Sequence, residues 1–125
     1  MKFFVTVIVL VIGVVVGVGY LLRSPAFYDY IYSKPDISPK FCYYYGEILY
    51  QSGKVQEAEN FFSIVVSTYP NTEVAPLALI KLADIKNEAF KYNEALALYK
   101  KFTEDYPSHP QITRVNKNIE IIMSR

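Results

Sequence analysis

The chain has 125 residues, which is enough for one small folded domain and too few for several. Its 13 basic and 12 acidic residues almost cancel, so it lacks the excess of positive charge that is typical of nucleic-acid-binding proteins, and we expect no nucleic-acid partner. The single cysteine, Cys42, excludes an intrachain disulfide. Composition alone does not select the cellular compartment.

The N-terminal residues form the most hydrophobic part of the chain. Residues 3–22 contain no charged side chain, and a helix of this length spans roughly 30 Å, the thickness of the hydrocarbon layer of a bilayer. The sequence therefore predicts a transmembrane anchor over 1–23. The alternative is a cleaved signal peptide, whose apolar core usually has only about 7–15 residues; Ser24-Pro25-Ala26 would then be the cleavage site.

Two glycines in this run lie four residues apart. Gly13 and Gly17 form a small-xxx-small pair that could let two membrane helices approach closely. The sequence thus indicates a possible helix–helix contact in the membrane, and with it a homo-oligomer or a place in a larger complex. The alternative is that glycine is simply common in membrane-spanning helices.

The orientation of the predicted anchor follows only weakly from charge. Lys2 precedes the span, whereas Arg23, Lys34 and Lys40 follow it, so the positive-inside rule gives no clear answer. Because the tail before the span is very short, we favour a signal anchor that places the soluble domain outside the cytoplasm, in the periplasm.

Residues 24–37 are predicted to be a juxtamembrane linker. Its prolines, at 25 and 35, prevent one uninterrupted helix through this region. Tyrosine is favoured at the membrane–water interface, since one end of its side chain is apolar and the other is polar. The aromatic residues concerned are Phe27, Tyr28, Tyr30 and Tyr32.

From residue 38 onward the apolar residues recur with helical spacing, which predicts an all-α domain over 38–125. Gly53 is typical of a helix end, and Ser108 with Gln111 resembles a capping box that starts the last helix. Short turns between the helices favour antiparallel hairpins. The predicted helices cover about 38–52, 54–68, 73–89, 91–105 and 109–123.

The sequence of this domain repeats at an interval of 37 residues. Tyr-Pro occurs at 69–70 and again at 106–107, and a fixed period of about 20–50 residues is typical of stacked supersecondary units. The further pairs of matching positions are Pro39 and Pro76, Lys54 and Lys91, Glu57 and Glu94, Ala58 and Ala95, Phe62 and Tyr99, and Val65 and Phe102.

These positions resemble the tetratricopeptide repeat, over about 38–107. The first unit carries Gly46, Gly53-Lys54, Glu57-Ala58, Phe62 and Pro70, and the second carries Leu82-Ala83, Lys91-Tyr92, Glu94-Ala95, Tyr99 and Pro107. The resemblance implies about two antiparallel helical hairpins plus a C-terminal capping helix. The long turn between the units is similar to that of tetratricopeptide-repeat proteins of the bacterial cell envelope.

The resemblance also implies a partner-binding groove, since the first helix of each hairpin lines the concave surface in this family. The implied groove residues are Lys40, Tyr43, Glu47, Tyr50, Gln51, Leu77, Ile80, Asp84, Asn87 and Glu88. Glu47 and Asp84 stand where carboxylate-binding members have asparagine, which argues against an acidic tail and favours an apolar or neutral partner segment. The alternative is that these residues cover the membrane-side segment or the fifth helix.

The sequence offers no set of residues for catalysis. The only histidine, His109, lies in a turn, and Cys42 has the character of a small buried residue. We therefore predict no enzyme activity and no cofactor. The function that we predict is a membrane-anchored adaptor that binds proteins in the cell envelope. The alternatives are an accessory subunit that contacts an integral membrane complex through its anchor, and a cleaved periplasmic or secreted binding module.

Overall fold

The computed structural model describes all 125 residues, which form seven α-helices and no strand. This confirms the predicted all-α class and the hairpin architecture. The helices are α1 (Lys2–Leu21), α2 (Pro25–Tyr32), α3 (Ser38–Gln51), α4 (Val55–Thr68), α5 (Ala75–Glu88), α6 (Tyr92–Asp105) and α7 (Ile112–Met123).

The chain divides into two compact units, Met1–Ser38 and Pro39–Arg125. The first unit contains α1, none of whose residues is buried. It also contains α2, so a short helix occupies much of the segment that the sequence predicted as a linker. Pro25 begins α2, where proline is tolerated because its missing N–H would have no partner in the first turn. The Tyr28 hydroxyl donates a hydrogen bond to the Leu22 carbonyl, at 2.7 Å.

The helices of the second unit keep the 37-residue interval without deviation. The helices α3, α5 and α7 begin at Ser38, Ala75 and Ile112, and α4 and α6 begin at Val55 and Tyr92. Each starting residue thus lies 37 positions after its counterpart. The unit is therefore two complete hairpins, α3–α4 and α5–α6, followed by half of a third.

Both hairpins turn through the same backbone motif. Gly53 has a φ of 81°, in the left-handed region. Its N–H donates to the Tyr50 carbonyl at 3.0 Å, and the Lys54 N–H donates to the Leu49 carbonyl at 2.9 Å. These two bonds make the Schellman motif, which closes a helix when the chain adopts a positive φ. The glycine predicted to end the first helix therefore does so, and Phe90 takes the same place in the second hairpin, with a φ of 60°.

The Tyr-Pro pairs mark the junctions between successive hairpins. Tyr69 and Tyr106 are the C-terminal caps of α4 and α6, and their backbone angles are nearly the same. The Tyr106 hydroxyl also donates a hydrogen bond to the carbonyl of Pro70, at 3.3 Å. One junction therefore contacts the other across the stack.

Each hairpin contains a ring that is completely buried between its helices. Phe62 of α4 packs against α3, where a side chain at Gly46 would meet its ring at 2.8 Å. In the second hairpin the matching positions are Tyr99 and Ala83, both fully buried. The small residues Ala58 and Ala95, which match across the 37-residue interval, are also fully buried. These recurring residues therefore belong to the core, whereas the recurring Lys54, Glu57, Lys91 and Glu94 are exposed.

The prediction for the start of the last helix was wrong. The last helix begins at Ile112, and Gln111 makes no side-chain capping bond; its N–H instead donates to His109 Nδ1 at 3.2 Å. The reason is Pro110, because proline disfavours the helical conformation of the residue before it. Cys42 and Leu49 form the packed face of α3, and Ile48 is 60% exposed.

Candidate partner-binding surface

The predicted groove lies on helices that are in direct contact with one another. Lys81 of α5 places its Nζ 2.9 Å from Glu47 Oε1 of α3, and the same ammonium group lies 5.7 Å from the centre of the Tyr50 ring. Glu47 Oε1 is buried and takes part in this ion pair without the geometry of a directed hydrogen bond. Charge attraction therefore joins the first helices of the two hairpins along this face.

A second contact joins the same pair of helices. The Tyr50 hydroxyl of α3 donates a hydrogen bond to the Glu88 carboxylate of α5. This bond raises the pKa of Tyr50 to about 12, with smaller contributions from burial and from the negative charges of Glu88, Asp84 and Glu47. The phenol is thus neutral at physiological pH.

Asp84 joins α5 to both of the following helices. Its carboxylate accepts a hydrogen bond of 2.5 Å from the Tyr99 hydroxyl of α6 and lies 3.1 Å from the Arg114 guanidinium of α7. Asn118 of α7 donates to the Tyr99 hydroxyl at 3.2 Å. Burial, followed by the bond to Asp84, raises the pKa of Tyr99. Asp84 is therefore occupied by contacts within the chain.

Two residues predicted to line the groove belong to the core instead. Tyr43 is 8% exposed, and its ring centre lies 5.9 Å from that of Phe62. Burial raises the pKa of Tyr43 to about 12, and the Glu47 carboxylate contributes further. Ile80 is 2% exposed and shares a core cluster with Val115 of α7. The correction has one physical cause: the neighbouring helices α4 and α7 cover these positions.

The other predicted groove residues retain exposed surface. Lys40 lies 3.0 Å from Glu73 in an exposed ion pair, Gln51 is exposed, and Leu77 and Asn87 are half-buried. The surface that remains available for a partner is formed by Tyr50, Gln51, Leu77, Lys81 and Asn87. Because its ion pairs are satisfied within the chain, this surface has no strong net charge.

The residues that the sequence analysis missed here are Lys81, Arg114 and Asn118. All three lie on the first helices of hairpins. Counting positions would have related two of them, because Lys81 and Asn118 lie 37 residues apart; Lys81 pairs with Glu47 of the preceding hairpin, whereas Asn118 donates to the Tyr99 hydroxyl, which is bonded to Asp84. Arg114 carries no such signal, since the matching residue in α5 is Leu77.

The glycines of α1 belong to the first unit. A side chain added at Gly13 or Gly17 would meet no other atom of the chain. One helix, Lys2–Leu21, is long and apolar enough to cross a membrane.

The residues that could carry chemistry are dispersed. Cys42 is buried within α3, and the His109 ring packs edge-on against Phe102, with 5.3 Å between ring centres. No three histidine, cysteine, aspartate or glutamate side chains gather where they could hold a metal ion.

Comparison with known proteins agrees with the architecture. The family model described as tetratricopeptide repeat matches twice, at residues 43–72 and 77–109, which together make up just over half of the chain. The curated proteins and the solved structures gave no match. Each matched segment covers most of one hairpin, the first α3–α4 and the second α5–α6. The chain therefore belongs to the tetratricopeptide repeat family.

Proposed function

We propose that this protein is a non-enzymatic adaptor, held on a membrane by α1, that binds a partner protein on the face formed by α3 and α5. Tetratricopeptide repeats generally mediate binding to other proteins. The observation that carries the proposal is the combination in one chain of this repeat domain with a fully exposed apolar helix of 20 residues.

The exposure of α1 supports the anchor. Burial of apolar surface contributes about 25 cal/mol per Å², so a helix of this composition is strongly disfavoured in water. A bilayer offers an apolar surrounding, and the backbone hydrogen bonds of α1 are already satisfied within the helix. Tyrosine side chains follow directly in α2, where an interface would favour them.

We place the repeat domain in the periplasm, as part of the cell envelope. The resemblance of the long inter-hairpin turns to those of envelope proteins supports this placement. The alternative is that α1 is a signal sequence, since a signal sequence near the N-terminus can meet the same criteria of helix length and hydropathy.

The neutral character of the α3–α5 face indicates its partner. Lys81 is already paired with Glu47 and Lys40 with Glu73, so an acidic tail would find no unpaired cation on this face. The half-buried Leu77 and the Tyr50 ring offer apolar contact. We therefore propose an apolar or neutral segment of a partner protein as the occupant.

The anchor is tested by isolating the full chain from its native membranes. We expect it to resist extraction by alkaline carbonate and to have an intact mass that includes residue 1. A matched variant, Ile8→Arg with Val14→Arg, should be extracted, because charged side chains are costly within a bilayer. A mature chain that starts near Phe27 would show that α1 is a cleaved signal sequence.

The binding face is tested by photo-crosslinking in native membranes. A crosslinker placed at Leu77 or Asn87 should capture one and the same protein, and a control crosslinker at Asn116, on the exposed side of α7, should not. Capture should be lost when Gln51→Arg is added, because the new charge has no partner. Equal capture from Asn116, or none from the face, would contradict the proposal.

A second candidate is an accessory subunit that binds through α1 itself. The observation that favours it is the open surface at Gly13 and Gly17, against which a second helix could pack closely. Crosslinks that form only from α1, and that disappear on Gly13→Leu with Gly17→Leu, would favour this candidate over the α3–α5 face.

A further inference from the structure

Phe90 has a conformation and an exposure that the fold does not require. It lies in the turn between α5 and α6 with a φ of 60°, and it is 76% exposed. A bulky residue with a positive φ is an outlier, because its Cβ crowds the backbone. A large apolar side chain in water adds a second unfavourable feature.

The first hairpin shows that the turn can be made without either feature. Gly53 occupies the same place and has a φ of 81°. In both turns the residue donates to a carbonyl three positions earlier at 3.0 Å, and the following lysine donates to one five positions earlier at 2.9 Å. The backbone thus requires only a positive φ, which glycine adopts without strain.

The surroundings of Phe90 form a small recognition surface. Its ring lies edge-on to that of Tyr92, at 6.2 Å between centres. The Arg125 guanidinium covers the Tyr92 ring at 5.0 Å and donates to its hydroxyl at 3.1 Å. The exposed Lys91 lies between the two rings in the chain, and residues 90–94 line an open cavity of about 310 Å³. We call Phe90, Lys91, Tyr92 and Arg125 the turn patch.

The charges of the turn patch favour an acidic ligand. Lys91 and Arg125 contribute two positive charges beside the rings. Glu94, which also lines the cavity, lies 3.4 Å from Lys86, which also pairs with Glu59. A carboxylate on a partner could therefore approach Lys91 and Arg125, while an apolar side chain beside it contacts Phe90.

We propose that the turn patch binds a peptide segment of a partner protein in which an aromatic or aliphatic side chain stands next to an aspartate or glutamate. Such a segment would place its apolar group against Phe90 and its carboxylate by Lys91 and Arg125. A broad anionic lipid surface is less favoured, because it would also face the exposed carboxylates of Glu88 and Glu94 and be repelled by them. A single peptide carboxylate can approach Lys91 and Arg125 without facing both glutamates. The turn patch is separate from the α3–α5 face, and this inference does not depend on that face.

The test uses the full chain in nanodiscs of phosphatidylcholine. A displayed library of random peptides is selected on the wild-type chain and depleted on the Phe90→Gly variant. We expect the enriched peptides to carry an apolar side chain beside a carboxylate. In fluorescence anisotropy their Kd should rise about tenfold or more for Phe90→Gly and several-fold for Lys91→Gln.

The repeat supplies the matched control. Lys54→Gln changes the residue that corresponds to Lys91 in the first hairpin and should leave peptide affinity unchanged. Circular dichroism should show that Phe90→Gly remains folded, since glycine fits the turn. The proposal is overturned if no acidic–apolar motif is enriched, if Phe90→Gly binds the peptides as tightly as wild type, or if phosphatidylserine vesicles bind the patch in preference to them.

Discussion

The two complete hairpins share a backbone but differ in what holds their helices together. The α3–α4 hairpin packs the apolar ring of Phe62 against Gly46, whereas the α5–α6 hairpin packs Tyr99 near Ala83. The hydroxyl of Tyr99 hydrogen-bonds with Asp84. The repeat therefore fixes where a ring must lie, and the neighbouring helices decide which chemistry that ring carries.

The contacts between hairpins also keep their position in the repeat while the residues that make them change. The acidic position of the first hairpin, Glu47, pairs with Lys81 of the next hairpin. The corresponding Asp84 pairs with Arg114, which lies one helical turn before Asn118, the counterpart of Lys81. The position of the cation has moved, yet the charge pair is kept. Complementary charge, and not one particular residue, joins the successive hairpins.

The largest expected effect comes from removing a buried ring. Phe62→Ala should lower the free energy of unfolding by about 3–5 kcal/mol, because it leaves a cavity between α3 and α4. Urea denaturation of the full chain in detergent, followed by circular dichroism, measures this. A loss below about 1 kcal/mol would mean that the ring is not a shared core element of the two hairpins.

A smaller loss is expected from filling the close contact in the first hairpin. Gly46→Ala should cost about 1–3 kcal/mol, because the added methyl group would meet the Phe62 ring at 2.8 Å. In a Phe62→Leu background the same substitution should cost much less. If Gly46→Ala were as harmful there, the contact with the ring would not be its cause.

The two turns should respond to substitution with opposite signs. Gly53→Ala should destabilise the chain by about 1 kcal/mol, and Phe90→Gly should stabilise it by a similar amount, since both residues have a positive φ. Thermal unfolding of the two variants beside wild type measures the difference. A destabilised Phe90→Gly would show that Phe90 serves the fold.

The hydroxyl of Tyr99 should contribute about as much as one hydrogen bond. Tyr99→Phe should lower the unfolding free energy by about 1–1.5 kcal/mol, because Asp84 and Asn118 each lose a partner. The reciprocal change, Phe62→Tyr, should be tolerated to within about 1 kcal/mol, since Glu47 is the counterpart of Asp84 in the repeat and its Oε1 accepts no hydrogen bond. A large loss of unfolding free energy for Phe62→Tyr would mean that the new hydroxyl finds no hydrogen-bond partner in the first hairpin.

The smallest effect concerns alkaline pH. Folding raises the pKa of Tyr50 from 10.0 to about 12, so its bond to Glu88 contributes fully below pH 10. That contribution is lost as the pH rises through 12, because the phenol then ionises beside a carboxylate. The melting temperature should therefore fall over this range, and Tyr50→Phe should reduce the fall. An unchanged fall would mean that Tyr43 and Tyr99, whose pKa values are also raised, account for it.

The groove was the part of the molecule that sequence reasoning located least well. The family pattern places Tyr43 and Ile80 on the same helix faces as Tyr50 and Leu77, and helical spacing cannot separate them further. Whether such a residue is exposed depends on how far the next helix extends over it. Phe62 and α7 bury Tyr43 and Ile80, respectively, and this follows from packing between elements that are distant in sequence.

The helices of the repeat domain, their 37-residue interval and the positions of the buried rings could be predicted from the sequence. These features follow from local properties: helical spacing of apolar residues, a glycine that accepts a positive φ, and prolines that end helices. The bridge that Asp84 makes between three helices, and the exposure of Phe90 in a glycine position, became visible only in the folded chain. Hydrogen bonds and exposure depend on the distance between side chains in space, and a repeat in the sequence does not encode that distance.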